Sequence, residues 1–280
     1  MSLLIDGPLR RIRQCRHGLM GYFVHDQYVG KSLDIYGEFS ESEVSLFREI
    51  VKPGDIVLEA GANIGSHTLF LARAVGQAGR VLAFEPQQRV YQMLCANLAL
   101  NELFNVDPLL CGLGARADIM QVPRYVLDQE INVGGVALCE GLSRPGYEPV
   151  AIRTVDSFQL SRLDFLKVDV EGMEHDVLDG ARETIWRCRP IMYLENDREE
   201  KSEALLELVD ELGYRAWWHL ALMYNPNNVA GNSDNIFSEL VSVNIFCVPK
   251  ELPVQINNFA PVASAKDWFT RDGIPRSAAY

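Results

Sequence analysis

The chain has 280 residues, enough to bury a substantial core and to form one large domain or two small ones. Its 48% hydrophobic and 23% charged residues are those of an ordinary globular protein, and a formal net charge of -12 argues against sequence-independent binding to nucleic acid or to an anionic membrane. The six cysteines include no Cys-x-x-Cys pair and follow no secretory leader, and no apolar run nears the roughly 18 to 20 residues of a membrane span, so a cytoplasmic protein without structural zinc or membrane insertion is expected.

Residues 1–50 read as an N-terminal segment. Arg10-Arg11-Ile12-Arg13, with Arg16 and His17, reads as a solvated basic face, and the aromatic-rich Gly21-Tyr22-Phe23-Val24 follows it. Ser40 followed by Glu43 has the spacing of a capping box, and Val44, Phe47 and Ile50 continue a helical stripe that stops at Pro53-Gly54.

From there the pattern alternates. Strands are predicted at 56–60, 80–85, 106–111, 164–169, 190–195, about 214–219 and 243–248, with helices near 66–75, 87–100, 173–187 and 200–212. Such alternation predicts an α/β fold with a mainly parallel sheet covered by helices on both faces. Residues 51–250 then form the main domain, and 251–280 a tail in which Phe259, Trp268 and Phe269 pack back on the body before a frayed Ser277-Ala278-Ala279-Tyr280. Two segments break the alternation: 120–150, with Pro123, Gly134, Gly135, Gly141, Pro145, Gly146 and Pro149, and 224–239, rich in Asn and Gly. Both read as irregular insertions that overhang the strand ends and serve as a substrate lid.

The chemistry gathers at two places. Ile56-Val57-Leu58-Glu59-Ala60-Gly61-Ala62-Asn63-Ile64-Gly65 is an apolar run that ends in an acid and a glycine turn, and twenty residues past Gly65 the run Leu82-Ala83-Phe84-Glu85-Pro86 ends in a second acid. Two adjacent parallel strands with these ends can hold a nucleoside, with Glu85 accepting both ribose hydroxyls. The Gly-x-x-x-Gly spacing lacks the middle glycine of a dinucleotide site, and acidic Glu59 suits a cationic ligand better than a diphosphate. S-adenosylmethionine (SAM), with its sulfonium and ammonium charges, therefore fits better than NAD.

Downstream, Leu166-Lys167-Val168-Asp169-Val170-Glu171-Gly172 places Lys167, Asp169 and Glu171 on one side of a buried strand, where they need partners or a site. His175 follows in the first helical turn. The next strand ends in Glu195-Asn196-Asp197, so Asp169, Glu195 and Asn196 can share a rim. Oxygen ligands converging there can hold a hard cation such as Mg²⁺, supply a general base for a hydroxyl, or merely cap the next helix.

Taken together, these motifs resemble the FkbM family of SAM-dependent methyltransferases. The resemblance runs from about Tyr36 to Glu195 and rests on Gly61-Ala62-Asn63-Ile64-Gly65, Phe84-Glu85-Pro86, Thr154-Val155-Asp156-Ser157, Lys167-Val168-Asp169-Val170-Glu171-Gly172 and Arg189-Pro190. It implies a Rossmann-like class I methyltransferase fold, a seven-stranded sheet with its last strand antiparallel. It further implies methyl transfer from SAM to a hydroxyl of a sugar, glycolipid, polysaccharide or polyketide-type natural product. Carried over, Glu59, Gly61, Ala62, Asn63 and Gly65 line the methionine end, Glu85 and Pro86 the ribose side, and Gly112 the adenine. Asp169 faces the transferring methyl, with Glu171 and His175 as further candidates for the hydroxyl proton. Glu59 stands where the family more often has Asp. An NAD-dependent oxidoreductase and a non-catalytic SAM-fold subunit are the rival expectations, and a small-molecule or glycan acceptor is the expected partner. A homo-oligomer is compatible with the sequence.

Overall fold

The computed structural model describes residues 3–124, 128–139 and 145–268. Gly141, Phe269 and Ser277 to Tyr280 lie outside them.

The N-terminal segment holds more regular structure than its sequence suggests. Strands β1 (Leu3–Asp6), β2 (Arg10–Cys15) and β3 (Gly18–Phe23) form an antiparallel sheet in that order, followed by helices α1 (Val29–Tyr36) and α2 (Glu41–Ile50). Glycines and arginines hide the strand pattern, but Met20 and Tyr22 alternate inward and are buried. The basic run on β2 is not a free patch. Arg11 pairs with Asp6 and Asp34, Arg13 donates to the Leu33 carbonyl, and Arg16 pairs with Glu38.

The expected capping box at Ser40 does not form. Ser40 is left-handed (φ 46°), and its Oγ donates to Glu43 Oε1 at 2.9 Å instead of accepting the Glu43 N–H, which bonds the Ser40 carbonyl. Glu43 is 4% exposed, and a buried carboxylate needs that hydroxyl more than the helix end does.

The chain continues with β4 (Ile56–Ala60), α3 (Thr68–Val75), β5 (Arg80–Phe84), α4 (Gln88–Leu100) and β6 (Val106–Leu109). It then runs through β7 (Gly112–Leu113), β8 (Asp118–Pro123), β9 (Tyr147–Arg153), β10 (Phe165–Val168), α5 (Glu174–Asp179), α6 (Arg182–Cys188), β11 (Ile191–Glu195), α7 (Glu199–Glu211), β12 (Tyr214–Leu222) and β13 (Val241–Pro249). The seven-stranded sheet has the order β12-β13-β11-β10-β4-β5-β6, with β13 antiparallel to both neighbours. Near-continuous apolar runs such as Phe165-Leu166 and Val81-Leu82-Ala83-Phe84 fit strands buried on both faces. One core joins α2, α3, α4 and β3 on one face; the other joins α5, α6 and α7 on the opposite face.

Two expectations are corrected. The helix predicted at 173–187 is two helices, because Gly180 passes so close to the segment after β7 that a Cβ would sit 2.1 Å from the Gly114 carbonyl, and Asp156 caps α6 through the N–H groups of Glu183 and Thr184. The 120–150 segment is not wholly irregular either. Its ends are β8 and β9, which form with β7 a second sheet ordered β7-β9-β8, and Pro123 and Pro149 mask the inward alternation of Val122, Val150 and Ile152. Residues 224–239 contain no strand or helix, and Glu38 holds them by accepting from Asn225 Nδ2 and the Val229 N–H, both at 2.7 Å. Trp268 packs edge-to-face on Trp218 of β12.

Candidate active site

The carboxyl ends of β4, β5, β10 and β11 open into a cavity of about 280 Å³. A smaller one of about 40 Å³ shares Gly61, Glu85, Gln87, Gly134, Asp169 and Glu171 with it, so the two form one crevice with a narrow end.

The turn after β4 is shaped by crowding. Gly61 has φ +81°, and a Cβ there would lie 1.8 Å from the Asp169 carbonyl, so only glycine lets the ends of β4 and β10 meet. Asn63 is also left-handed; its N–H donates to Glu85 Oε2 at 3.0 Å while the Gln87 N–H donates to Oε1 at 2.8 Å. Glu85 thereby ties the turn after β4 to the end of β5. Burial pushes its carboxyl up to about 7, with the two N–H groups pulling the other way.

Beneath the turn lies a buried charge cluster. Lys167, 1% exposed, places Nζ 3.1 Å from Asp169 Oδ2 and 3.9 Å from Glu59 Oε1. Burial works against its charge, but Asp169, Glu59 and Glu43 together outweigh it and raise the lysine's pKa. Glu59 takes the Thr68 hydroxyl on Oε2 at 2.6 Å, leaves Oε1 without a hydrogen-bond partner, and is pushed by burial up to about 7. Glu171 pairs with Arg198 at 2.6 Å. Glu195 has an unpartnered, buried Oε2, and burial followed by repulsion from Asp169 raises its carboxyl well above the usual range.

The structure brings Glu59, Gly61, Ala62, Asn63, Glu85, Asp169, Glu171 and Glu195 onto the larger cavity, and Pro86 and Gly112 onto the smaller. Three of the residues singled out in the sequence lie elsewhere. Gly65 lines neither cavity and packs near Leu94 of α4; the His175 side chain is 45% exposed on α5, near Asp176; Asn196 is buried, with Nδ2 on Ser202 Oγ. Among the acidic, histidine and cysteine side chains of the described residues, oxygens of Asp169, Glu171 and Glu195 lie within 4.8 Å of one another, close enough for one cation.

Several lining residues escaped the sequence reading. Glu43 looked sufficiently explained as a capping residue and Gln87 as the start of α4, and His67 was not singled out. His67 is 3% exposed, its Nε2 has no hydrogen-bond partner, and burial lowers its pKa well below the usual histidine value, so the ring is neutral at pH 7. Gln87 donates to the Val133 carbonyl and leaves Oε1 unpartnered beside Glu85.

A sheet of this order with an acid-glycine turn after its first parallel strand and a carboxylate after the next defines the class I methyltransferase fold. The chain belongs to the FkbM methyltransferase domain family, which matches residues 59–216. It is 31% identical over 163 residues to methyltransferase sdnD of Sordaria araneosa, covering 46% of this chain and 61% of that one. It is 30% identical over 149 residues to methyltransferase 1 of Beauveria bassiana, covering 46% and 59%. The chain thus spans about three-fifths of the length of these relatives. A solved FkbM methyltransferase from Methylobacillus flagellatus superposes with a TM-score of 0.44 at 18% identity, covering 79% of this chain and 55% of that one.

Proposed function

We propose that the protein is a SAM-dependent O-methyltransferase whose acceptor is a hydroxyl of a sugar, glycolipid, polysaccharide or polyketide-type natural product. The observation that carries this reading is the position of Asp169, whose residue borders both the narrow and the wide part of one crevice, where a donor and an acceptor would meet.

The residues suit SAM. The orphaned, buried oxygens Glu59 Oε1 and Gln87 Oε1 belong to residues that line the crevice and call for donors or cationic groups. In this assignment Glu59, Gly61, Ala62 and Asn63 hold the methionine end, Glu85 and Gln87 the ribose, and Pro86, Gly112, Leu113 and Met173 the adenine. SAM supplies an electrophilic methyl group when bound. Asp169 takes the proton of the acceptor hydroxyl, Lys167 fixes its carboxylate, and the walls hold the two reactants in line. His175, half-exposed and off the cavity, has no part in this scheme.

Asp169→Asn is expected to bind SAM with unchanged affinity in titration calorimetry and to lose turnover in a radiolabelled methyl-transfer screen; full turnover removes Asp169 from the mechanism. Tighter binding of NADH than of SAM overturns the reading in favour of an oxidoreductase. A hard cation on Asp169, Glu171 and Glu195 is a second reading, favoured by the spacing of their oxygens. Turnover that survives dialysis against EDTA eliminates it.

A further inference from the structure

The wide part of the crevice is unevenly charged. Its walls carry the carboxyl groups of Glu43 from α2, Glu195 from β11 and Asp197 beyond it, and Lys167 is the only lysine or arginine among the described residues that line it. That lysine is already engaged by Asp169 and Glu59. The rest of this part is apolar or neutral, with Tyr28, Val29, Phe39, Met223, Leu240 and Val243.

Two observations point to a ligand site at these acids. Glu195 Oε2 is buried without a hydrogen bond. The His67 Nε2 is likewise unpartnered in a residue 3% exposed, and it stands 3.9 Å from Glu43 Oε2, too far for a hydrogen bond between them. With its proton on Nδ1, the neutral His67 ring offers Nε2 as an acceptor, and it then joins Glu43, which accepts from Ser40 Oγ on Oε1, on the wall of the same cavity. Burial pushes Glu43 up to about 7 and Glu195 well above the usual range, and an N–H⁺ group beside them would favour their ionised forms and donate to them, whereas a phosphate or carboxylate would oppose that ionisation.

Resting on the methyltransferase reading, we propose that the acceptor is a cationic alcohol: a molecule with an apolar body and a protonated amine, the amine held by Glu43, His67 and Glu195 while the hydroxyl faces Asp169. The same wall disfavours acceptors carrying phosphate or carboxylate near the reacting hydroxyl.

The test uses the full chain saturated with S-adenosylhomocysteine and three probes that share one ring and one phenol: tyramine (cationic), tyrosol (neutral) and 4-hydroxyphenylacetate (anionic). Calorimetry is expected to show tyramine binding at least about tenfold tighter than tyrosol, and no binding of the acid. Glu43→Gln and Glu195→Gln should each bring tyramine close to tyrosol while leaving tyrosol unchanged, a split that a merely structural role would not produce. Equal binding of tyramine and tyrosol, preference for the acid, or no binding of any probe overturns the proposal. So does stoichiometric Mn²⁺ binding that excludes tyramine, which assigns the acids to a metal. Failure of the wild-type chain to bind S-adenosylhomocysteine strikes the methyltransferase reading itself, and the proposal falls with it.

Discussion

Lys167 Nζ sits 3.1 Å from Asp169 Oδ2, two residues along the same strand, and the pair is the electrostatic centre of the crevice. The lysine is buried to 1% exposure, so its charge exists only because Asp169, Glu59 and Glu43 surround it. Lys167→Met would keep much of the apolar stem and strand these acids without a counter-charge. Removing one member of a buried ion pair costs about 3–5 kcal/mol. Urea unfolding at pH 7.5 should show a loss of that size, and a smaller one near pH 5, where the acids can take up protons.

Glu85 binds two backbone N–H groups and has lone pairs left for a ribose. Glu85→Gln turns one acceptor into a donor facing a donor. Affinity for SAM should fall roughly tenfold to a hundredfold, about 1.4–2.7 kcal/mol. Calorimetry with SAM checks this, and unchanged affinity would mean that the ribose is held elsewhere.

Glu59 and Glu85 have native pKa values of about 7 against an ordinary 4.5, raised chiefly by burial. Between those two values the native chain holds protons that the unfolded chain has released. The stability these groups contribute is therefore complete below about pH 4.5 and is lost as pH rises through about 7. The unliganded protein should have a urea midpoint that falls more steeply from pH 5 to 7.5 than that of Glu59→Gln. Parallel curves for the two proteins would show that Glu59 titrates normally.

Gly61→Ala places a Cβ 1.8 Å from the Asp169 carbonyl, in a backbone region that disfavours side chains. Gly54→Ala shares the positive φ (+88°) but meets no atom within 4 Å, so it carries only the conformational cost of about 1–2 kcal/mol. Gly61→Ala should exceed that and abolish SAM binding, whereas Gly54→Ala should bind SAM normally. Equal melting temperatures in the two variants would contradict the contact.

The sequence made β4, β5 and β10 legible because strands buried on both faces write near-continuous apolar runs, and because Glu59 and Glu85 end two of those runs. Lys167 announced its own cluster, since a charge inside such a strand requires partners. Strands β1 to β3 were obscured because arginines there are neutralised by Asp6, Asp34 and Glu38, residues whose proximity only the fold creates. Glu43 was hidden by the opposite effect: it had an adequate local explanation at the start of α2, and only the docking of α2 against the turn before α3 sets it 3.9 Å from His67.

The matched family span begins at Glu59 and ends at residue 216, and the crevice divides along that line. The proposed donor end, with Glu59, Glu85, Gly112 and Asp169, lies inside it, whereas Tyr28, Val29, Phe39, Glu43, Met223 and Leu240 to Val243 come from either side of it. On the proposed function, exchanging those flanking segments between relatives should re-address methyl transfer to a new acceptor while the donor end is inherited intact.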